Sequence, residues 1–213
     1  MTIRVLLVDD EYLIRSGLRG IVDSEDDLEV VAEASDGTEV LPLVRSLQPD
    51  VVMMDVRMPT MNGIETTRML VEKLDHPPAI LVVTTYENDE YVYDALRAGA
   101  RGFVLKRITP ETLVEAIRVV SKGESLLFPA AVRQLVASQA DNKGRRDLPP
   151  LTDREGEILR MMAAGASNGE IAQELYITVE TVKTHVGNVL SKIGARDRTQ
   201  AVIAAYESGF VSV

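Results

Sequence analysis

The chain has 213 residues, of which 46% are hydrophobic and 26% are charged. This balance excludes wholesale disorder, and the length allows one large domain or two small ones. The absence of cysteine excludes disulfides, cysteine-ligated zinc and thiol nucleophiles, and it fits a reducing compartment. The sequence has no signal-peptide pattern and no apolar run near the roughly 18 residues of a membrane span, so we expect a cytoplasmic protein without membrane contact.

Negative charge is concentrated in the first two thirds of the chain. The formal net charge is -10, and residues 1–140 hold fourteen basic and twenty-three acidic side chains against nine and ten in residues 141–213. A strongly acidic protein is a poor partner for nucleic acid, because phosphate binding is driven by Lys and Arg. The final third of the chain is nearly neutral, so its charge does not argue against binding nucleic acid.

Strand and helix patterns alternate in the front part. Short β-branched or apolar runs predict five strands, at residues 3–8, 28–34, 51–54, 79–83 and 102–105. Stretches with helical spacing separate them, and the last helix has Thr109 as N-cap, Pro110 at its first position and Gly123 after its end. This alternation predicts an α/β fold with a doubly wound, five-stranded parallel sheet covered on both faces.

A polar segment at residues 138–150 contains Gly and two Pro and lacks apolar periodicity, which is typical of a linker. A long surface loop within one domain is the alternative. We predict a first domain over residues 1–125, a linker that can include a helical segment over 126–150, and a second domain over 151–213.

Reactive side chains follow four of the five predicted strands: Asp9 and Asp10, then Asp55, Thr84 and Lys106. Sites in open parallel sheets form outside the carboxyl ends of the strands, so these residues should converge. Three carboxylates repel one another unless a cation lies between them, and Mg2+ prefers such oxygen ligands and leaves room for a phosphate oxygen. With Lys106 and Thr84 to contact phosphate oxygens, Asp55 could accept a phosphoryl group as an acyl phosphate.

Each of these residues also has an ordinary structural interpretation. Asp9 and Asp10 could cap the following helix, Thr84 could be a turn residue, and Lys106 could be a solvated cation. Residues at four strand ends together supply every group that a phosphoryl-accepting site needs. This agreement favours such a site over four unrelated structural roles.

Residues 1 to about 125 resemble the receiver domain of two-component response regulators, which has a flavodoxin-like fold. The matching segments are residues 8–11, 54–59, 62–63, 83–85, 98–100 and 102–106. The resemblance implies that Asp55 is the phosphoacceptor of a sensor histidine kinase. It also implies that Asp10, Asp55 and the Arg57 carbonyl hold Mg2+, with Asp9 acting through water.

The same resemblance assigns a phosphoryl contact to Lys106 and a switch pair to Thr84 and Phe103. In the family the hydroxyl moves toward the phosphate and the aromatic ring turns inward, although a ring in a strand is usually ordinary packing. Arg107 departs from the acidic residue or Pro that the family often has there, which leaves its effect on the loop open.

Only helices are predicted after the linker. Capping boxes begin at Thr152 and Ser167, Thr178 can cap a third helix, and a fourth runs from about Thr199. Four short helices with tight turns predict a small all-α helix-turn-helix domain. The third helix exposes polar and basic side chains, a face that could equally be the solvated surface of a helical bundle.

Residues 151 to 208 resemble the LuxR-type helix-turn-helix, through the motifs Leu-Thr-x-Arg-Glu, Ser-Asn-x-Glu-Ile-Ala, Thr-Val-Lys-Thr-His and Arg-Asp-Arg-Thr-Gln-Ala. The whole chain is therefore similar to NarL/FixJ-family response regulators, which regulate transcription by binding double-stranded DNA. The resemblance places Lys183 and Thr184 in the major groove. It makes four further residues candidates near the phosphates: Thr181, His185, Lys192 and Arg198.

Gly187 lies where relatives often place a larger polar side chain, which puts specificity at that base step in doubt. The last predicted helix is small and apolar around Ala201, Val202 and Ala205, and we expect these residues to form the face of a homodimer that assembles on activation.

Two other functions fit part of this pattern. A phosphohydrolase with Asp55 as nucleophile, similar to haloacid-dehalogenase-like enzymes, would need an acid two residues later, where this chain has Arg57. A receiver-like protein that cannot be phosphorylated and binds DNA constitutively would not need the complete set of site residues. We therefore expect no enzyme activity beyond self-phosphorylation from small phosphodonors and slow autodephosphorylation.

Overall fold

A computed structural model describes residues 2–85, 89–123 and 148–211. Contacts between residues divide the chain into two compact units, Met1–Leu126 and Leu127–Val213, and each unit is described by itself. The predicted linker falls largely outside the described residues, as does the helical segment predicted within it. Within the described part, no helix is both long and apolar enough to cross a membrane.

The first unit contains one five-stranded parallel sheet. Its strands are β1 (Ile3–Val8), β2 (Leu28–Ala34), β3 (Val51–Met54), β4 (Ala79–Thr84) and β5 (Gly102–Leu105). Their spatial order is β2-β1-β3-β4-β5, and every neighbouring pair is parallel. The fold class and all five strand positions predicted from the sequence are confirmed, with β4 one residue longer than expected.

Both faces of the sheet are buried. Every residue of β3 and β4 is buried, as expected for central strands. One face packs Leu7, Met53 and Leu81 in a single core with Ile117 from a helix. The alternating residues on the other face, such as Val52, are also buried, so helices cover the sheet on both sides.

In the described part of the first unit, four helices and one short 3-10 turn connect the strands, and a fifth helix follows β5. They are α1 (Tyr12–Val22), the 3-10 turn (Gly37–Glu39), α2 (Val40–Leu47), α3 (Gly63–Lys73), α4 (Asp89–Ala98) and α5 (Pro110–Ser121). A capping box formed by Asn62 and Glu65 starts α3. The predicted start of α5 is confirmed, because the Thr109 side chain accepts from the Thr112 amide and Pro110 is the first helical residue.

The second unit is helical throughout its described elements: α6 (Asp153–Ala163), α7 (Asn168–Glu174), α8 (Val179–Ile193) and α9 (Arg198–Glu207). Both predicted capping boxes are present, at Thr152 and at Ser167, and Thr178 caps α8. The fourth helix begins at Arg198, because Asp197 is its N-cap and accepts from the Gln200 amide.

The small apolar residues of α9 have a different place from the one predicted. Ala201, Val202 and Ala205 are 0%, 2% and 0% exposed, and the neighbouring Tyr206 hydroxyl donates to the Ala163 carbonyl of α6 at 3.1 Å. They form part of the core of the second unit. The expectation that these three side chains form an exposed dimer face is therefore wrong, because they are buried where α9 packs against α6 and α8.

Candidate functional site

Three carboxylates meet at the carboxyl end of the sheet. One oxygen from each of Asp9, Asp10 and Asp55 lies within 4.8 Å of the others. The parallel pairing of β1 and β3 causes this, since Val8 is opposite Met54 and the Asp55 amide donates to the Val8 carbonyl at 2.8 Å. Asp9 and Asp55 are buried, whereas Asp10 is exposed.

Lys106 reaches this cluster from the end of β5. Its Nζ lies 2.6 Å from Asp9 Oδ2 and 3.1 Å from Asp55 Oδ2, and its side chain is only 8% exposed. The Lys106 amide donates to the carbonyl of Thr84, which ties the ends of β4 and β5 together. The alternative of a solvated cation is therefore wrong for Lys106.

Burial and charge act against each other on Asp55. Burial raises its pKa above the ordinary range for Asp, Lys106 opposes that rise, and Asp9 adds to it. For Lys106, burial favours the neutral form, but hydrogen bonds and attraction from Asp9 and Asp55 prevail and raise its pKa. The pocket therefore holds the ammonium group of Lys106 beside two carboxylates, Asp9 and Asp55, that repel each other.

The donor set of the acidic cluster fits a hard divalent cation. It supplies carboxylate oxygens from three residues, two of them buried and one at the solvent side. Mg2+ takes one or two carboxylates and keeps several waters, which the exposed position of Asp10 would permit. The cluster could thus bind a metal ion.

Hydrogen bonds fix the two buried carboxylates. Asp9 Oδ1 accepts from the Glu11 amide at 2.9 Å, and Asp55 Oδ1 accepts from the Val56 amide at 2.8 Å. Glu11, not Asp9 or Asp10, is the N-cap of α1, and no side chain caps that helix. The capping interpretation of the Asp9–Asp10 pair is therefore wrong. The second oxygens of Asp9 and Asp55, both Oδ2, contact Lys106.

The predicted switch residues lie on adjacent strands. Thr84 is the last residue of β4 and is fully buried, so it is a strand residue and not a turn residue. Phe103 is half-buried on the edge strand β5, opposite Val82. Thr84 is thus at the carboxyl end of β4, whereas Phe103 lies two residues further from that end, on the strand that precedes Lys106.

Sequence reasoning missed Asp36, which holds the loop that follows Asp55. One Asp36 oxygen accepts from the Thr60 amide at 2.8 Å and the Met61 amide at 3.4 Å, and the other accepts from the amide and hydroxyl of Thr38. These bonds, that of the Thr38 amide foremost, lower the pKa of Asp36 to about 2. An Asp-Gly pair after a strand signals a turn, but nothing in it reveals a distant partner.

Two glycines permit close approach in the same region. A Cβ on Gly63 would lie 2.0 Å from the Asp55 carbonyl oxygen, and one on Gly37 would lie 1.9 Å from Thr66 Oγ1. Only glycine fits at such contacts without displacing backbone. The Asn62-Gly63 pair of the sequence motif thus lets α3 start directly against the Asp55 backbone.

In the second unit, α8 carries the residues predicted to contact DNA. Thr181, Lys183 and Thr184 are exposed and His185 is half-buried. The opposite side of the helix is anchored by Val182 and Val189, both fully buried. In the part of the chain that the structure describes, the helix presents a polar face on which Lys183 makes an exposed contact of 3.4 Å with Glu180.

Lys192 and Arg198 are held by contacts inside the second unit. Lys192 Nζ lies 2.7 Å from Oε2 of the buried Glu155 on α6. The guanidinium of Arg198 donates to the carbonyl of Ala166 and to Asn168 Oδ1. The prediction that both contact DNA phosphates missed these structural roles, because charge alone does not reveal an internal partner.

Comparison with known families agrees with the two units. Residues 5–118 match the family model for the response regulator receiver domain, and residues 149–205 match that for bacterial regulatory proteins of the luxR family. An open parallel sheet with an acidic pocket at its carboxyl end, joined to a helix-turn-helix unit, is the architecture of a transcriptional response regulator. The phosphohydrolase alternative finds no support in either match.

Full-length relatives share this organisation. The transcriptional regulatory protein LiaR of Bacillus subtilis is 43% identical, covering 99% of this chain and 100% of its own length. The response regulator VraR of Staphylococcus aureus is 41% identical over 99% of this chain and 100% of its own. The crystal structure of the response regulator ChrA from a heme-sensing two-component system is 37% identical, covers 99% of both chains and has a TM-score of 0.54. The chain belongs to the NarL/FixJ-type response regulators and acts in transcription.

Proposed function

We propose that this response regulator is phosphorylated on Asp55 by a sensor histidine kinase with Mg2+, and that the phosphoryl group alters its dimerisation and its binding to double-stranded DNA. The observation that carries the proposal is the buried contact of Lys106 with Asp9 and Asp55 beside the exposed Asp10. This pocket combines a nucleophile, oxygen ligands for a cation and a fixed positive charge.

In the proposed reaction, an Asp55 carboxylate oxygen attacks the phosphorus of a phosphohistidine in line. The new oxygen-phosphorus bond forms as the nitrogen-phosphorus bond breaks, and the electron pair returns to the imidazole. Asp55 Oδ2 is the proposed attacking atom, because it lies beside the Lys106 ammonium that would contact the phosphoryl group, whereas Oδ1 accepts from the Val56 amide. Small phosphodonors such as acetyl phosphate would react by the same attack on phosphorus.

Other residues would position the phosphoryl group. Lys106, already 3.1 Å from Asp55 Oδ2, would transfer its contact to a phosphoryl oxygen. Asp10, Asp55 and the carbonyl of Arg57 would hold Mg2+, with Asp9 acting through water. When bound, Mg2+ neutralises charge that develops on the phosphoryl oxygens.

The response to phosphorylation would pass through Thr84 and Phe103. The buried Thr84 hydroxyl would turn toward the phosphoryl group, and the half-buried ring of Phe103 would move into the space it leaves. The surface around α4 and α5 would change with them. We propose that this change promotes a homodimer, through a surface other than the buried Ala201, Val202 and Ala205.

The output surface would be α8. Lys183 and Thr184 would enter the major groove, with Thr181 and His185 beside the phosphates. Lys192 and Arg198 would serve chiefly to orient α8 and α9 through their internal contacts, and only secondarily to attract phosphate. A kinase and DNA as partners place the protein in the cytoplasm.

The decisive experiment compares the native chain with Asp55→Asn. Each is incubated with Mg2+ and acetyl phosphate, and covalent phosphate is measured by intact mass, with oligomeric state and DNA affinity measured in parallel. We expect one phosphoryl group, a larger oligomer and tighter DNA binding for the native chain only. Strong, unchanged DNA binding without phosphate uptake would favour the constitutive alternative.

A further inference from the structure

We infer that Tyr176 contacts the sugar-phosphate backbone of the DNA that α8 binds. The inference rests on the proposed function, because it needs α8 to be the DNA-contacting helix. It adds an aromatic contact, placed in the turn between α7 and α8, that lies outside the residues already assigned to DNA binding.

Tyr176 is unusually exposed for its size. Its side chain is 96% exposed, and nearby Val179 is 43% exposed, while the other large hydrophobic side chains of residues 148–211 are at least partly covered. A single exposed apolar residue needs no explanation on its own. Tyr176 and Val179 are two of them, one on each side of Thr178, the N-cap of the helix that carries the polar face.

The backbone of Tyr176 carries a conformational cost. Its φ is +54°, and its amide donates to the Gln173 carbonyl while the Ile177 amide donates to the Ala172 carbonyl, a turn that ends α7. Glycine is the residue that adopts this conformation without strain. Among the described residues of this unit, the other positive-φ positions are glycines: Gly165, Gly194 and Gly209.

A strained, exposed aromatic residue in place of glycine points to a role for its side chain. Among the described residues of the second unit, none covers the ring, because almost all of it faces solvent. Removing it would relieve strain without opening the core. A binding partner is therefore the reason for tyrosine that fits its position.

The position of Tyr176 selects DNA as that partner. It lies two residues before Thr178, the N-cap of α8, and the exposed Thr181 and Lys183 follow within the first turns. Helix-turn-helix proteins direct the N-terminal part of the second helix at the base edges, so the preceding turn comes near a phosphate strand. A tyrosine hydroxyl can donate to a phosphate oxygen, and its ring can pack on deoxyribose.

The test uses the full chain after treatment with Mg2+ and acetyl phosphate. Two duplexes serve as probes: one selected by the native chain from a random pool, and one of random sequence. Tyr176→Gly and Tyr176→Asn remove the ring and tolerate positive φ, Tyr176→Phe removes only the hydroxyl, and Lys183→Ala serves as the control for the proposed DNA-binding face. Affinity is measured by fluorescence anisotropy at several salt concentrations.

We expect Tyr176→Gly and Tyr176→Asn to bind both duplexes about tenfold more weakly, and Tyr176→Phe roughly threefold more weakly. Their salt dependence should match that of the native chain, whereas Lys183→Ala should lower the slope by about one. The unfolding midpoint of Tyr176→Gly should be unchanged or higher, which separates lost contact from lost stability.

Native-like DNA affinity in both the Gly and Asn variants, together with weakened binding by Lys183→Ala, would overturn the inference and leave the proposed function standing. That result would make a protein partner the candidate for the Tyr176 surface. Failure of the native chain to bind any duplex would overturn the proposed function, and the inference with it.

Discussion

Asp10 differs from the other carboxylates of the acidic pocket in its exposure. Asp9 and Asp55 are buried and within reach of Lys106, whereas Asp10 is exposed. Asp10 can therefore be a Mg2+ ligand, and it is not needed to neutralise the charge of Lys106. Its removal should affect metal binding more than folding.

Asp10→Asn should accordingly weaken Mg2+ binding by about tenfold to a hundredfold. The unfolding midpoint without Mg2+ should stay the same or rise slightly, because one of three mutually repelling carboxylates is neutralised. Calorimetric titration with MgCl2 measures the first effect and thermal unfolding the second. Asp75→Asn, a change at an exposed acid outside the pocket, should leave both quantities unaltered; equal Mg2+ affinities for the two variants would contradict a role for Asp10.

Asp36 holds the loop that follows Asp55. Its carboxylate binds the Thr60 and Met61 amides in the loop that also carries Arg57, whose carbonyl is a proposed Mg2+ ligand. Asp36→Ala leaves those amides without their acceptor and frees the loop. We expect roughly tenfold weaker Mg2+ binding and a lower unfolding midpoint.

Asp36→Asn provides the matched comparison. Its amide oxygen can still accept from the Thr60 amide, so most of the Mg2+ affinity should return. Calorimetric titration of both variants, with thermal unfolding at saturating Mg2+, separates loop position from general stability. Unchanged Mg2+ affinity in Asp36→Ala would show that the loop keeps its place without this residue.

Among the elements of the second unit, α6 and α8 are joined by an ion pair. The hydrogen bond from Lys192, followed by that from the Thr152 amide, lowers the pKa of Glu155 from its ordinary value to about 2. A carboxyl group with a lowered pKa stabilises the folded state fully above its unfolded pKa, and this contribution disappears as the pH falls through the folded pKa.

The stabilisation that Glu155 provides should therefore be lost as the pH falls from about 4.5 to about 2. We expect Glu155→Gln to speed amide hydrogen exchange in α6 and α8 at neutral pH, and the difference from the native chain to shrink through this window. Comparing the two proteins at each pH cancels the intrinsic exchange rates. Lys192→Met should reproduce the neutral-pH effect, and a difference that grew on acidification would contradict the ion pair as its cause.

The elements also show how far the sequence can be interpreted. Strands β1 to β5 and the caps at Thr109, Thr152 and Ser167 were predictable because periodicity and capping are local properties. The convergence of the acidic pocket followed from the parallel topology alone. Local pattern could not tell what covers a helix, so the apolar residues of α9 suggested a dimer face where the fold uses them as core.

Long-range partners were the other class of feature beyond prediction. Asp36 pairs with amides more than twenty residues away, and Lys192 pairs with Glu155 across the second unit. Most acidic and basic residues in a sequence are exposed to solvent. Only the three-dimensional structure shows which of them have fixed partners.

At the scale of the whole molecule, the proposed phosphorylation site and the proposed DNA-binding surface belong to different units. The acidic pocket lies entirely in the first unit, and the α8 surface lies entirely in the second. Each has its own buried core, one around Leu7, Met53 and Ile117 and the other around Ile158 and Met162. A unit with its own core is expected to fold by itself.

Fragments comprising residues 1–123 and 148–213 should therefore each unfold cooperatively. The first should take up one phosphoryl group from acetyl phosphate with Mg2+, and Mg2+ should raise its unfolding midpoint because the cation binds only the folded pocket. The second should bind DNA, with an affinity that neither Mg2+ nor acetyl phosphate changes. Regulation of DNA binding should thus require both units in one chain, and a phosphodonor effect on the isolated second fragment would place the switch outside the Asp55 pocket.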